Sequence, residues 1–310
     1  MHDLKPLAIV LLLATTATAY AQEPVPGTFA LAGAEAHVTG QVLVTETAPL
    51  TANLSITFSD AATGTQITDF AEELTQQLHV LAVDSSLTRL VHEHVKAASP
   101  EGVFTAQMQF PRAGTYHIYA DAVPDGFGQQ VLRFDVQIGG EQEEVKQPVP
   151  QRFSAADKIK LASGDYEIEL DASALVAGEE SMLKIAIMKD GEPATDLHPY
   201  LGVPAHAVLV KADDLSYVHA HPMDESQAEE HGIHGGHADA AMAHDGHGSH
   251  PAATEAGPQS HGHDHADMTR TVSPAMTLHM TPPGAGDYTL FLEFIGGDQV
   301  HTVVVPLELT

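Results

Sequence analysis

Apolar and polar residues alternate over short stretches along most of the chain. Alternation with a period of two is typical of β-strands, and the Gly, Pro, Asn and Asp residues between the stretches favour turns. In the first half of the chain the pattern predicts the strands HVTGQVLVT, NLSITFS, LHVLAVD, RLVHEHV, VFTAQMQF, TYHIYADA and QVLRFDVQI. In the second half it predicts DYEIELD, MLKIAIMK, AHAVLVK, SYVHAHP, AMTLHMT, DYTLFLEF and QVHTVVVPLEL. The sequence therefore predicts an all-β protein.

The two halves also align with one another. Residues 68–95 match residues 195–222 at a constant offset of 127, and residues 104–121 match residues 276–293 at an offset of 172. The second copy therefore carries 45 extra residues between these two blocks. The alignment pairs His79 with His206, His92 with His219, and His94 with His221. Duplication of one domain explains this repeat.

Seven short strands in about 100 residues are typical of an immunoglobulin-like β-sandwich. Tyr116 and Tyr288 each follow a Gly-x pair at the start of the sixth strand of their copy, which resembles the tyrosine corner of such sandwiches. We expect two tandem immunoglobulin-like β-sandwiches. The expected boundaries are 30–140 for sandwich 1, 141–155 for a linker, and 156–310 for sandwich 2 with an insertion at 223–272.

The N-terminal residues have the pattern of a secretory signal peptide. Lys5 precedes an apolar run from Leu7 to Ala14, and the small-residue sequence Ala19-Tyr20-Ala21 follows. The run is shorter than the roughly 20 apolar residues that a membrane span needs. We therefore expect residues 1–21 to be removed and the mature protein to be periplasmic or secreted, without membrane insertion after cleavage.

The insertion at 223–272 is rich in His, Gly, Ala, Asp and Glu and has almost no β-branched or aromatic residues. Such a segment buries too little apolar surface to offset the entropy of ordering, so we expect it to be disordered without a ligand. Histidine-rich tracts usually bind Zn, Ni or Cu weakly, although a solvated linker that responds to pH is the alternative. The candidate ligands in it are His231, His234, His237, His244, His247, His250, His261, His263 and His265.

A second group of histidines lies on predicted strands. The segment AHAVLVKADDLSYVHAHP predicts a hairpin that places His206 opposite His221 and Val208 opposite His219, with all four side chains on one face. Three imidazoles at this spacing suit one metal ion. The same pairing in the first copy brings together His79, His92 and His94. A solvated strand edge, or histidines hydrogen-bonded to loop carbonyls, remain the alternatives. His198, His279 and His301 are further candidates in the second copy.

Composition narrows the class of function. The formal net charge of −29 disfavours nucleic acid and anionic lipid as partners, although an acidic surface is most often a solubility device. The chain has no cysteine, which excludes disulfides and thiolate metal sites. Its 21 histidines favour a metal ligand role, because neutral imidazole is the commonest ligand of transition metals. Thioether ligands would favour Cu(I), but Met276 and Met280 are expected in the core.

The segments LHVLAVDSSLTRLVHEHV and PYLGVPAHAVLVKADDLSYVHAHP, with FPRAGTYHIYADAVPDGFGQQV and PGAGDYTLFLEFIGGDQVHTV, resemble a family of bacterial secreted domains. In that family a His is followed thirteen residues later by H-x-H-P, and the domain often occurs beside heavy-metal-associated modules. It is distantly similar to YtkA/FixH-type sandwiches. The first copy departs from the pattern, since Val95 stands in place of the proline. The resemblance implies the fold and no defined activity.

These observations favour an exported, non-enzymatic binding protein for Cu or Zn that acts in buffering, resistance or delivery. Its partners would be metal ions and a membrane transporter or a metalloenzyme client. A protein-interaction module with the insertion as a spacer is the alternative. A hydrolase or metal oxidase is a third class, but the chain has no Gly-x-Ser-x-Gly, His-Glu-x-x-His or phosphate loop.

Overall fold

A computed structural model describes residues 20–31, 34–73, 76–140, 152–154, 157–224 and 272–310. The predicted signal peptide up to residue 19, most of the predicted linker and residues 225–271 lie outside these ranges. The nine candidate ligands of the insertion therefore lie outside the described residues. Every regular element of the described chain is a β-strand. No helix among the described residues is long and apolar enough to cross a membrane.

Sandwich 1 consists of two antiparallel sheets. Its strands are β1 (Tyr20–Ala21), β2 (Val25–Gly27), β3 (Val38–Ala48), β4 (Thr51–Asp60), β5 (Phe70–Ala71), β6 (Leu78–Asp84), β7 (Leu90–Val95), β8 (Val103–Gln109), β9 (Gly114–Pro124) and β10 (Gln130–Ile138). Outer sheet 1 has the order β1-β3-β4-β8, with β2 paired to β3. Inner sheet 1 has the order β10-β9-β6-β7, with β5 paired to β9. Cleavage after Ala21 would remove β1, a two-residue edge strand.

Sandwich 2 repeats this arrangement. Its strands are β11 (Phe153–Ser154), β12 (Lys158–Ser163), β13 (Tyr166–Asp171), β14 (Ser181–Lys189), β15 (Glu192–Pro193), β16 (Leu197–His198), β17 (His206–Lys211), β18 (Tyr217–Ala220), β19 (Met223–Asp224), β20 (Ala275–Met280), β21 (Gly286–Gly296) and β22 (Gln299–Leu309). Inner sheet 2 has the order β11-β22-β21-β17-β18, with β16 paired to β21. Outer sheet 2 has the order β12-β13-β14-β20-β19, with β15 paired to β14.

The expectation of two tandem sandwiches of one fold is confirmed. All seven strands predicted for each copy are present, and the structure adds β12 and several strands of two or three residues. Both tyrosine corners form as well. The Tyr116 hydroxyl donates to the carbonyl of Arg112 at 2.9 Å, and the Tyr288 hydroxyl donates to the carbonyl of Gly284 at 2.6 Å. Each bond ties the start of a long strand, β9 in sandwich 1 and β21 in sandwich 2, to the turn before it.

Each sandwich has its own apolar core between its outer and inner sheets. The alternation of side chains along the strands supplies it: Leu54, Ile56 and Phe58 of β4 are fully buried. In sandwich 2, Met276 and Met280 lie in the core, as the sequence predicts. Leu278 lies in the core with them, whereas Thr277 and His279 alternate with these residues and point toward the other face of outer sheet 2.

A third apolar cluster joins the two inner sheets. Its buried members are Leu81, Val83, Tyr119 and Val131 of sandwich 1, and Val208, Val210, Tyr217 and Phe291 of sandwich 2. The rings of Tyr119 and Tyr217 stack with centroids 4.6 Å apart. The Tyr119 hydroxyl also donates to the carbonyl of Leu215 at 2.9 Å. The molecule is therefore a stack of four sheets with the two inner sheets in contact.

The strand β19 lies at the base of the insertion. Met223 and Asp224, which the sequence assigns to the insertion, pair with Thr277 and Met276 of β20. The backbone N–H of Ser273 donates to Asp224 Oδ1 at 3.3 Å. Asp224 and Ser273, which lie on either side of residues 225–271, are therefore neighbours at the edge of outer sheet 2.

Candidate metal centre

Two hairpins carry the histidines that the sequence predicts as ordered ligands. In sandwich 1, β6 pairs with β7 so that His79 lies opposite His94. In sandwich 2, β17 pairs with β18 so that Val208 lies opposite His219. These registers confirm the predicted hairpins. The last pair of the second register is Ala207 with Ala220. One further step brings His206 opposite His221, just beyond the end of β18.

The two hairpins meet at the interface between the inner sheets. Side chains alternate along β6, so Leu78, Val80 and Ala82 enter the core of sandwich 1 while His79 faces sandwich 2. The sequence predicts one three-histidine set per sandwich, but the structure brings both sets together. We call this group the six-histidine cluster, and its members are His79, His92, His94, His206, His219 and His221.

Ring contacts show how closely the two sets approach. The ring centroids of His92 and His206 are 4.7 Å apart, and those of His79 and His219 are 5.3 Å apart. These two distances are related by the repeat, since His79 corresponds to His206 and His92 to His219. The cluster therefore has approximate twofold symmetry. The side chains of His92 and His219 are 0% and 4% exposed, so the cluster is closed to bulk water around these rings.

Backbone carbonyls hold one histidine of each set. The Nε2–H of His79 donates to the carbonyl of Glu73 at 3.3 Å, and the Nε2–H of His206 donates to the carbonyl of Tyr200 at 3.0 Å. Residues 73 and 200 are equivalent in the repeat. A proton on Nε2 leaves Nδ1 of each ring with a free lone pair.

Carboxylates hold a second histidine of each set, and they do so across the interface. His92 Nδ1–H of sandwich 1 donates to Glu293 Oε2 of sandwich 2 at 3.1 Å. His219 Nδ1 of sandwich 2 lies 3.6 Å from Asp121 Oδ2 of sandwich 1. Asp121 and Glu293 are equivalent in the repeat and are 1% and 4% exposed. A proton on Nδ1 leaves Nε2 of each ring with a free lone pair.

The free nitrogens point into the cluster. His206 Nδ1 lies 3.4 Å from His219 Nε2, although neither atom carries a proton in the assignment above. Two ligand nitrogens on one tetrahedral ion, each at 2.0–2.1 Å, lie roughly 3.3–3.4 Å apart. His94 differs, because its Nε2–H can donate to His92 Nε2 at 3.1 Å. The unprotonated nitrogens of His206 and His219 have no proton between them, and a cation would satisfy both lone pairs.

Three buried ring nitrogens of the cluster have no hydrogen-bond partner among the described residues. They are His79 Nδ1, His94 Nδ1 and His221 Nε2. Buried polar atoms without partners are uncommon, because each loses its hydrogen bonds to water and gains none in the protein. Two groups of three histidines have ligand atoms within 4.8 Å of one another: His79, His92 and His94, and His92, His206 and His219.

Burial keeps the imidazoles of the cluster neutral. Desolvation, reinforced for His79 by the nearby His219, lowers the pKa of His79 to about 4. Desolvation lowers the pKa of His219 to about 4 and, with neighbouring imidazoles, the pKa of His94 and of His221 to about 2. The pKa of His92 and of His206 falls well below the usual value for the same reasons. Neutral imidazole is the form that binds a metal ion.

Desolvation acts in the opposite direction on the two carboxyl groups of the cluster. It raises the pKa of Asp121 to about 6 and that of Glu293 to about 7. Gln129 donates to both oxygens of Asp121 at 3.1 Å, and Thr302 donates to Glu293 Oε1 at 3.1 Å. These bonds fix the carboxyl groups so that one oxygen of each remains directed at a histidine of the other sandwich.

The other histidines predicted in sandwich 2 are not part of either three-histidine group of the described residues. His301 stacks on Phe294 with centroids 5.0 Å apart and bonds Ser163, so it has a packing role. His279 lies opposite Met182 on outer sheet 2. His198 lies on β16, and its Nδ1 is buried without a partner among the described residues.

Sequence reasoning did not identify Asp121 and Glu293. Both lie in the second aligned block of the repeat, and a carboxylate at equivalent positions of two diverged copies is a detectable signal. It also did not identify the contact between the two sets of histidines. The signal for that contact was present in the strand LHVLAVD, which is apolar on both faces and therefore needs a second covering surface.

Comparison with known proteins identifies the family to which the chain belongs. Residues 31–140 and 160–310 both match the model of a domain of unknown function, DUF8832. The two matched ranges fall within the two sandwiches and cover most of the chain. No curated protein matches the sequence. The chain therefore belongs to the DUF8832 family and contains two copies of its domain.

Proposed function

We propose that this protein binds a transition-metal ion in the six-histidine cluster. The observation that carries the proposal is the arrangement of ring nitrogens. Two histidines donate one N–H to a backbone carbonyl and two direct one N–H at a carboxylate. In three of them the other nitrogen faces another ring of the cluster, and in His79 it is buried without a partner among the described residues. Metal-binding histidines in proteins are held in this way, because the outer acceptor fixes both the tautomer and the ring orientation.

The proposed ion is Cu or Zn. Imidazole nitrogen is a good ligand for Zn and Cu, and both are among the ions that histidine-rich tracts bind. The histidines of the insertion would act as weaker ligands that collect ions near the cluster. His221 lies two residues before the insertion in the chain, which supports a transfer route from the insertion to the cluster.

The proposed role is buffering, resistance or delivery of the ion outside the cytoplasm. The signal-peptide pattern supports an exported protein. Delivery would require a client, for which a membrane transporter or a metalloenzyme is proposed. We propose binding rather than catalysis, because His79, His92 and His206 are buried at the interface and a catalytic metal needs an open coordination position.

Metal analysis of the mature, untagged protein tests the proposal. Titrations with Zn²⁺, Cu²⁺ and Cu⁺ should show one tight phase that is lost when His92 and His206 are replaced by Gln. The control is His117→Gln, because His117 bonds Asp135 at 2.6 Å outside the cluster. Retention of the tight phase in the double variant, at unchanged affinity, would show that the cluster does not bind the metal.

A further inference from the structure

We propose that the six-histidine cluster binds a single divalent ion shared by both sandwiches, with Asp121 and Glu293 as positioning residues that act across the interface. This inference rests on the proposed metal-binding function. It goes beyond that function by fixing the number of ions, their charge class and the dependence of each half of the site on the other.

The number of ions follows from His92. It belongs to both three-histidine groups, one within sandwich 1 and one that joins the sandwiches. Its Nδ1 is engaged by Glu293 at 3.1 Å, so only Nε2 remains as a ligand. One nitrogen lone pair binds one metal ion. The two groups therefore compete for the same nitrogen, and a single ion that draws ligands from both hairpins satisfies the geometry.

The reciprocal carboxylates make each half of the site depend on the other. Asp121 lies opposite His79 in inner sheet 1, yet its Oδ2 is directed at His219 of sandwich 2. Glu293 lies opposite His206 in inner sheet 2, yet its Oε2 accepts from His92 of sandwich 1. The first histidine of each H-x-H strand, His92 or His219, is therefore positioned by a carboxyl group of the neighbouring sandwich.

The ligand set and the charge of the site favour a divalent ion. All described methionines lie on outer sheets or in the cores beneath them, so the inner sheets offer imidazole and no thioether, which disfavours Cu(I). Two buried carboxyl groups lie in contact with the ligand rings and supply up to two negative charges. A buried charge is stable only when it is compensated nearby, so a doubly charged ion matches this site.

Apolar packing between the two inner sheets positions the two hairpins. The residues that join the sheets, including Val208 and Phe291, are fully buried. Their packing holds the two hairpins at a fixed separation, so binding needs only small side-chain shifts. A ligand set that is already ordered loses little conformational entropy on binding, which favours high affinity.

Titration of the full chain with Co²⁺, followed by its visible absorption, counts the ions. We expect one equivalent in the tight phase, with the intensity of a four-coordinate nitrogen site. The variants H79Q/H92Q/H94Q and H206Q/H219Q/H221Q should each lose the whole tight phase, because the single ion needs both hairpins. Circular dichroism establishes that each variant is folded. For a variant that is not, the single substitutions H94Q and H221Q take its place, and each should weaken the same phase.

The outcomes separate this inference from the proposed function. Two tight equivalents, of which each triple variant loses only one, would overturn the single shared ion while leaving metal binding intact. The absence of any tight phase in the unaltered protein would overturn both. A tight phase for Cu⁺ that exceeds those for Zn²⁺ and Co²⁺ and needs the same histidines would overturn the divalent preference alone.

Substitution of the carboxylates tests their positioning role. Asp121→Asn and Glu293→Gln should each weaken Zn²⁺ and Co²⁺ binding by about 10- to 100-fold and alter the Co²⁺ spectrum. The conservative changes Asp121→Glu and Glu293→Asp should restore part of the affinity. Asp135→Asn is the matched control, since Asp135 bonds a histidine outside the cluster. Unchanged affinity and spectrum in Glu293→Gln would show that the carboxylate does not position His92.

Discussion

Four histidines of the six-histidine cluster use their two ring nitrogens differently. In His79 and His206 the outer nitrogen is Nε2, and in His92 and His219 it is Nδ1. The outer nitrogen is the one that faces the acceptor behind the ring. This acceptor is a loop carbonyl in the first pair of histidines and a carboxyl group in the second. One alternative interpretation of the sequence, histidines bonded to loop carbonyls, is therefore correct for one nitrogen of two rings and leaves the other nitrogen available.

The neutral imidazoles should make the stability of the metal-free protein depend on pH. Unfolded histidine has a pKa of ~6.5, whereas the pKa of His79 and His219 in the fold is about 4. Below pH ~6.5 the unfolded chain therefore binds more protons than the fold, and stability decreases as the pH falls. The raised pKa of Asp121 and that of Glu293 act in the opposite sense, but six imidazoles outnumber two carboxyl groups.

We therefore expect the free energy of unfolding to be several kcal/mol lower at pH 5 than at pH 7. Urea denaturation at the two pH values, after removal of metal with a chelator, measures it. Replacement of His92 and His206 by Gln should reduce the difference. A free energy of unfolding that is equal at both pH values would contradict the buried, neutral state of the cluster.

Among the elements, strands with one apolar face were predicted most completely from the sequence. The strand β4 alternates strictly, and its inward residues form the core as expected. The hairpin registers were also predictable, because a shift by one residue would move His92 and His94 to the opposite face. The two- and three-residue strands could not be predicted, since so few residues carry no periodicity. They form because a neighbouring long strand offers unpaired backbone groups.

The tyrosine corners should contribute equally to the two sandwiches. Tyr116→Phe and Tyr288→Phe each remove a hydrogen bond to a backbone carbonyl while keeping the ring, so each should lower the free energy of unfolding by about 1 kcal/mol. Urea denaturation of the two variants measures the loss. No loss in either variant would indicate that the hydroxyl bonds water equally well in both states.

Removal of the insertion should leave the six-histidine cluster intact. Residues 225–271 are the appropriate deletion, because β19 pairs with β20 and Val272 is only 6% exposed. The bond from Ser273 to Asp224 shows that a short Gly-Ser link suffices to join the ends. The deleted protein should fold, lose most of its weak metal-binding capacity and keep the tight phase in calorimetric titration. Loss of the tight phase would assign it to the insertion.

At the scale of the whole molecule, the contact between the two inner sheets creates the candidate site. The sequence predicted each three-histidine set but not their union. Its repeat showed that the sandwiches are alike, yet nothing in periodicity specifies which face of one domain contacts which face of another. The contact depends on shape and on a few pairs, such as Tyr119 stacked on Tyr217, that become visible only in three dimensions.

Weakening this contact should lower metal affinity without touching a ligand. Phe291→Ala removes a fully buried ring from the interface and should destabilise the protein by about 3–5 kcal/mol. We also expect the tight phase to weaken by roughly tenfold or more, which corresponds to about 1.4 kcal/mol of binding energy. Phe104→Ala is the control, because Phe104 is equally buried but lies in the core of sandwich 1. Equal effects of both variants on affinity would contradict a site that depends on docking.

An anomalous difference map from crystals of the full chain grown with one equivalent of Zn²⁺ shows directly whether one ion is shared by both sandwiches. We expect one strong peak at the interface, 2.0–2.1 Å from ring nitrogens of both sandwiches, with His92, His206 and His219 among the ligands. We also expect Glu293 and Asp121 to remain behind His92 and His219. A peak bound by histidines of one sandwich alone, or an interface without a peak while zinc lies elsewhere on the chain, would contradict the single shared ion.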